Sequence, residues 1–169
     1  MQLPTTHDPD RPYTIAMVCL GNICRSPIAD VVLEHRLAEH GLNDQYAVVS
    51  SGTGSWHVGD GMDAAARTEL EAHGYDSSRH RARQFDARMF DACDLILTMD
   101  ASNHHDVLAL ARGDEDRSRV AMFRSFDPQA HPADDEVPDP WGGGPEAFIQ
   151  VRIMIERTVD ALVEQLERR

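Results

Sequence analysis

Residues 13–19 (YTIAMVC) form a short apolar, β-branched run that halts at Gly21-Asn22, and beyond Ser26-Pro27 the apolar positions recur at helical spacing. A switch from a buried-strand pattern to an amphipathic-helix pattern within a few residues is the signature of a βα unit. Such a unit constrains the fold strongly, because the next strand in the same sheet has to return alongside the first and lie parallel to it. Ser26 is expected to supply an N-cap hydroxyl and Pro27 the first helical position. The helix then runs to about Gly41, with Ile28, Val31, Val32, Leu37 and Ala38 mostly on one face.

The alternation continues along the chain. Residues 47–51 read as a second strand, 63–73 as a second helix ended by Gly74, and 94–98 (DLILT) as a third, buried strand. A helix through about Ala111 follows Met99-Asp100, and residues 120–123 are a plausible fourth strand before a long loop. The last helix is the clearest: after Gly142-Gly143-Gly144-Pro145 come Phe148, Val151, Ile155, Val159, Leu162 and Leu166, spaced three or four apart. No repeat, linker or composition shift marks a second domain. The expected fold class is α/β, a single three-layer domain over residues 13–169 with a four-stranded parallel sheet flanked by helices. Ligands of such sheets bind at the carboxyl ends of the strands, which directs attention to the loop after the first strand.

Composition narrows the chemistry. All 16 basic side chains of this 169-residue chain are Arg. Without Lys there is no Walker-type phosphate lysine and no Schiff-base chemistry. With 29 acidic residues the formal charge is -13, and Arg79, Arg81 and Arg83 form the one obvious basic cluster, so nucleic acid is not expected as a partner. No run approaches the roughly 18 apolar residues of a membrane span. Residues 1–12 (MQLPTTHDPDRP) lack the pattern of a secretory signal and read as a disordered lead-in. Three cysteines are too few for a disulfide scaffold and fit free thiols in a reducing cytoplasm.

The loop itself is Cys19-Leu20-Gly21-Asn22-Ile23-Cys24-Arg25-Ser26-Pro27, a thiol and a guanidinium separated by five residues. That spacing alone is weak evidence, and a free Cys at a strand end is often a small core residue. Its setting carries more weight. Backbone N–H groups of a strand-to-helix loop, reinforced by the helix N-terminus, can converge on an anion. Arg25 can clamp two phosphate oxygens, and the same positive surroundings favour a nucleophilic sulfur at Cys19, to which the Ser26 hydroxyl can donate. Nucleophile and oxyanion cradle coincide.

Residues 18–27, VCLGNICRSP, closely resemble the signature of the low-molecular-weight protein tyrosine phosphatases. Residues 51–59 (SGTGSWHVG), His73-Gly74, residues 80–84 (HRARQ), Met99-Asp100 and Asp139-Pro140 resemble further family segments in family order. The resemblance implies a flavodoxin-like fold of the phosphotyrosine phosphatase I type. It also implies Cys19 as the nucleophile that takes the phosphoryl group, Arg25 as the clamp that binds it, and Ser26 as an aid to thiolate departure. The phosphate-binding loop would comprise Leu20, Gly21, Asn22, Ile23, Cys24 and Ser26, with Asn22 holding its shape and His80 supporting it.

Cleavage of a phosphate ester at a thiol needs a proton for the leaving oxygen. Asp134, Asp135, Glu136 and Asp139 all crowd one loop, and spacing does not choose among them. The resemblance of Asp139-Pro140 to the family's acid motif selects Asp139. Trp56 and Trp141 fall in loops near this site and could wall a phosphotyrosine ring; the family usually has Tyr or Phe at the position matching Trp141. A Cys19–Cys24 disulfide under oxidation is likewise implied. The expected partners are phosphotyrosine-containing proteins, with inorganic phosphate and other oxyanions as inhibitors, for a monomer that needs no cofactor or metal and binds no membrane. His57, His104 and His105 form no metal-ligand pattern.

Three other readings compete. Arsenate reductases of this fold share the loop but relay a disulfide through cysteines placed after the third strand, whereas Cys93 precedes it. A non-catalytic phosphotyrosine-binding module has no use for both a nucleophile and an acid. A phosphoarginine phosphatase differs at the rim, where small residues would replace the two tryptophans.

Overall fold

The structure, a computed structural model, describes residues 3–131 and 133–169. Among them are four strands, β1 (Tyr13–Cys19), β2 (Tyr46–Gly52), β3 (Leu95–Thr98) and β4 (Val120–Met122). They form one sheet in the order β2-β1-β3-β4, and every pairing is parallel. Six α-helices connect or follow them: α1 (Arg25–Glu39), α2 (Ala64–Ala72), α3 (Met89–Ala92), α4 (Ala101–Ala109), α5 (Asp114–Ser118) and α6 (Gly144–Glu167).

Side chains of a strand alternate between faces, and β1 shows what this does when both faces are covered. Tyr13, Ile15, Met17 and Cys19 enter one core with Ile28, Val32 and Leu33 of α1 and Val151, Ile155 and Val159 of α6. Ala16 and Val18 enter the other with Phe85, Phe90, Ile96 and Val107. The six apolar positions that mark the last helix in the sequence are all buried in α6. At about 1.5–3 kcal/mol for each large apolar side chain removed from water, that stripe is a principal contribution to the fold.

This topology creates the site. With β2 on one side of β1 and β3 on the other, the connections leaving the sheet diverge at the carboxyl end of β1 and open a crevice there. Cys19 is the last residue of β1, and Asp100 follows β3 after one residue. Gly52 ends β2 beside the loop, where a Cβ would stand 2.6 Å from the Leu20 carbonyl oxygen. The loop backbone therefore packs directly against the strand end.

Three local features differ from the sequence expectations. The α1 helix starts at Arg25 behind Cys24 with no side-chain cap, so Ser26 is not the N-cap and Pro27 sits third in the helix. The Ser26 hydroxyl has partners in the site instead, and a first-turn proline still removes no helical hydrogen bond. Phe123 leaves the fourth strand for a 3-10 turn (Phe123–Phe126). The short helices α3 and α5 are too brief to show a period. Residues 3–12 form no helix or strand, and several of their groups hydrogen-bond to the body of the domain. The His7 amide donates to Asp94 at 2.7 Å, Arg11 donates to the Ala92 carbonyl at 2.7 Å, and the Tyr13 hydroxyl donates to the Pro4 carbonyl at 3.1 Å. Asp94, just outside β3, in turn accepts from the Thr14 amide.

Candidate active site

The loop between β1 and α1 wraps around the Cys19 sulfur. The Asn22 amide donates to Sγ at 3.3 Å, and the Ser26 hydroxyl lies 3.0 Å from it. Asn22 Nδ2 donates to Ser26 Oγ at 2.9 Å, filling a lone pair and leaving the hydroxyl hydrogen to face Sγ or the Ser51 carbonyl at 3.3 Å. The amides of Gly21, Ile23 and Cys24 have no acceptor among the described residues, as an anion cradle requires.

Asn22 holds the loop in its shape. It is fully buried and adopts φ 56°, a left-handed conformation that Asn tolerates better than most residues. Its carbonyl accepts from His80 Nε2 at 2.7 Å, and its Oδ1 accepts from the Arg83 amide at 2.9 Å. Burial pushes the His80 imidazole below its ordinary range, Arg81 and Arg83 add to that, and the Asn22 carbonyl opposes them. His80 is therefore neutral at neutral pH, with its proton on Nε2.

Arg25 is buried although charged, and its partners come from two other segments of chain. Nη1 donates to Asp100 Oδ2 at 2.5 Å and to the Val137 carbonyl at 3.1 Å, while Nη2 lies 3.4 Å from Asp139 Oδ2. Asp100 also caps α4, accepting from the Asn103 amide at 2.7 Å, so the arginine is anchored to the end of a helix. Sequence reasoning missed this role of Asp100. The available signal was an acidic residue just after a buried strand, next to the strand that carries Cys19.

Cys19, Arg25 and Asp139 line one cavity of about 200 Å³, which they share with Trp56, Trp141 and Leu20. Gly21, Ile23 and Cys24 also face it, whereas Asn22, Ser26 and His80 brace the loop from behind. Burial, then Asp63 and Cys19, push the Cys24 thiol well above the ordinary range. Asp139 accepts from the Trp141 amide at 3.2 Å and is half-exposed at the mouth. Trp56 and Trp141 are 72% and 71% exposed, so neither is a core residue. The Trp56 ring folds over Gly54, where a Cβ would stand 1.8 Å from it, and any side chain there would push the ring aside. Cys93 lies in the core on the opposite face of the sheet from Cys19.

Comparison with known proteins places this arrangement. The sequence model of the low molecular weight phosphotyrosine protein phosphatases matches residues 14–169. The chain belongs to that family. It is a protein-tyrosine phosphatase, and a low molecular weight protein-tyrosine-phosphatase of Streptomyces coelicolor is 38% identical to it over 161 residues, spanning 93% of this chain and 98% of the relative. A protein tyrosine phosphatase from Entamoeba histolytica, solved with Hepes in its active site, superposes with a TM-score of 0.86 at 30% identity, covering 92% of this chain and 97% of that one. The tyrosine phosphatase Wzb from Escherichia coli K30, solved in complex with sulphate, gives a TM-score of 0.78 at 28% identity, with 90% and 97% covered. These phosphatases share the four-stranded parallel sheet flanked by helices. Among the described residues, no helix is long and apolar enough to cross a membrane, and no cluster of three or more His, Cys, Asp or Glu is arranged to hold a metal.

Proposed function

We propose that this phosphatase hydrolyses phosphotyrosine in proteins through a cysteinyl-phosphate intermediate. The observation that carries the reading is the convergence of Cys19, Arg25 and Asp139 on a single cavity with two aromatic side chains at its mouth. The phosphoryl group sits on the loop amides with its oxygens against Arg25. The Cys19 sulfur attacks phosphorus, the bond to the tyrosine oxygen breaks, and Asp139 gives that oxygen its proton. In the second step Asp139 takes a proton from water as the water oxygen attacks phosphorus. The phosphorus–sulfur bond then breaks, phosphate leaves, and the Ser26 hydroxyl donates to the departing thiolate.

Trp56 and Trp141 pack against the faces of the tyrosine ring, and their breadth favours a flat aromatic substrate over phosphoarginine. Cys93, walled off by the sheet, gives no support to a disulfide relay. Inorganic phosphate and related oxyanions compete for the loop. The cytoplasm is the compartment that suits three free buried thiols. Under oxidation, Cys19 and Cys24, which line the same cavity, close a reversible disulfide.

The acid role is tested through the leaving group. In Asp139→Asn, kcat/KM for phenyl phosphate, which covers the steps up to loss of phenol, is expected to fall about 10²–10³-fold. For 2,4-dinitrophenyl phosphate, whose phenolate leaves without a proton, it changes little. Inhibition by phosphate stays near the native value. Equal losses on both esters would take the acid role away from Asp139.

A further inference from the structure

Asp139 sits in a stretch that would be hard to keep in place by its own contacts. Between Phe126 and Gly144 the described residues form no helix or strand, and a segment of this length needs outside anchors. Near Asp139 the anchors are few. The Val137 amide donates to the Met99 carbonyl at 2.7 Å, and Glu136 Oε1 accepts from the Ala101 amide at 2.9 Å. Arg25 Nη1 donates to the Val137 carbonyl at 3.1 Å, and a further anchor is Arg124, in the 3-10 turn that follows β4.

Arg124 is 3% exposed, and its guanidinium joins the start of the segment to its middle. Nε donates to Asp127 Oδ2 at 3.1 Å at the start of the segment, and Nη1 donates to the Glu136 carbonyl at 2.9 Å, three residues before Asp139. Nη1 also lies 3.2 Å from Asp134 Oδ1, on the exposed side. Asp127 is itself fixed from α6, since Arg157 donates to both its oxygens at 2.7 Å. Burial pushes the Asp127 carboxyl up, but Arg157, the Gln129 amide and Arg124 outweigh it and hold it at about 2. The carboxylate therefore stays charged at any working pH, and the chain of contacts from α6 through Asp127 and Arg124 to Glu136 remains intact.

We infer that Arg124 is a positioning residue for the general acid: it ties the backbone three residues before Asp139 to the helical body and so holds the carboxyl at the cavity mouth. Neither the family resemblance nor the geometry around Cys19 calls for a guanidinium at this place. The guanidinium reaches Asp127 and the Glu136 carbonyl from two different nitrogens of one rigid fork, whereas the three donors of an ammonium radiate from a single atom and cannot span the same two positions in that geometry. The inference rests on the reading of Asp139 as the acid.

The test uses Arg124→Met, which keeps much of the volume and leaves Asp127 paired with Arg157, and Arg124→Lys, which also keeps the charge. Both variants are expected to lower kcat/KM for phenyl phosphate about tenfold or more while leaving it within about twofold for 2,4-dinitrophenyl phosphate. Phosphate inhibition stays native, and the double variant Arg124→Met with Asp139→Asn is no slower on phenyl phosphate than Asp139→Asn alone. Equal losses on both esters in the lysine variant, or losses that multiply in the double variant, would overturn the inference. So would native rates on phenyl phosphate in both single variants. If Asp139→Asn itself fails to discriminate between the esters, the acid assignment is what falls, and that control separates the two failures. Should the methionine variant not fold, the lysine variant alone decides.

Discussion

Cys19→Ser is expected to abolish hydrolysis of aryl phosphates, with kcat at least ~10⁴-fold below the native enzyme. The assay contains a thiol reductant and a metal chelator, and the native enzyme keeps its activity under both. A serine oxygen at this position remains within reach of the Asn22 amide and the Ser26 hydroxyl, so the loop keeps its hydrogen bonds. What is lost is the sulfur nucleophile. A hydroxyl attacks only if an adjacent base takes its proton, and the two groups nearest the sulfur, a backbone amide and a hydroxyl, are not bases. Phosphate binding survives, and is measured as a phosphate-dependent rise in melting temperature equal to that of the native protein. Appreciable turnover by the variant would show that Cys19 is not the attacking group.

Arg25→Lys is the second large effect, and it has the opposite binding signature. The guanidinium is held by Asp100 and the Val137 carbonyl and still turns an edge toward the cavity. A lysine ammonium offers one point of positive charge and cannot keep those partners while also bonding two phosphoryl oxygens. Loss of a preorganised donor at the developing charge is expected to lower kcat/KM roughly 10²–10³-fold. Because the clamp also serves the ground state, phosphate inhibition weakens and the thermal shift shrinks. A variant that turns over slowly yet binds phosphate normally would confine Arg25 to the transition state. Native rates would remove it from the mechanism.

Local features of this site were legible in the sequence, and non-local ones were not. The segment from Tyr13 through Pro27 announces strand, loop and helix in fifteen consecutive residues, so Cys19 and Arg25 could be placed at the carboxyl end of a strand before any tertiary contact was known. The long α6 declares itself through its sustained spacing. Asp100 and Arg124 are different, because each acquires its role only when β3 pairs with β1 and β4 with β3 in the sheet. Ser26 shows the same limit on a smaller scale. Its place before Pro27 suits a helix cap, but Asn22 and Cys19 compete for the hydroxyl and win. The segment before Tyr13 has the composition of a disordered tail, yet contacts of His7 and Arg11 with the region around Asp94 leave no periodic trace.

The exposure of Trp56 and Trp141 has a practical side. They are the only two indoles in the chain, and both stand in water at the mouth of the cavity. Most proteins bury an indole and so report their unfolding by a red shift of emission. Here the emission begins near its solvated limit, and denaturation has little further to move it. On the proposed reading the intrinsic fluorescence is instead expected to follow occupancy, since a ring entering between the two indoles would drive water away from both. One optical signal is therefore expected to titrate aromatic ligands directly on the unlabelled protein, while stability has to be followed by circular dichroism or calorimetry.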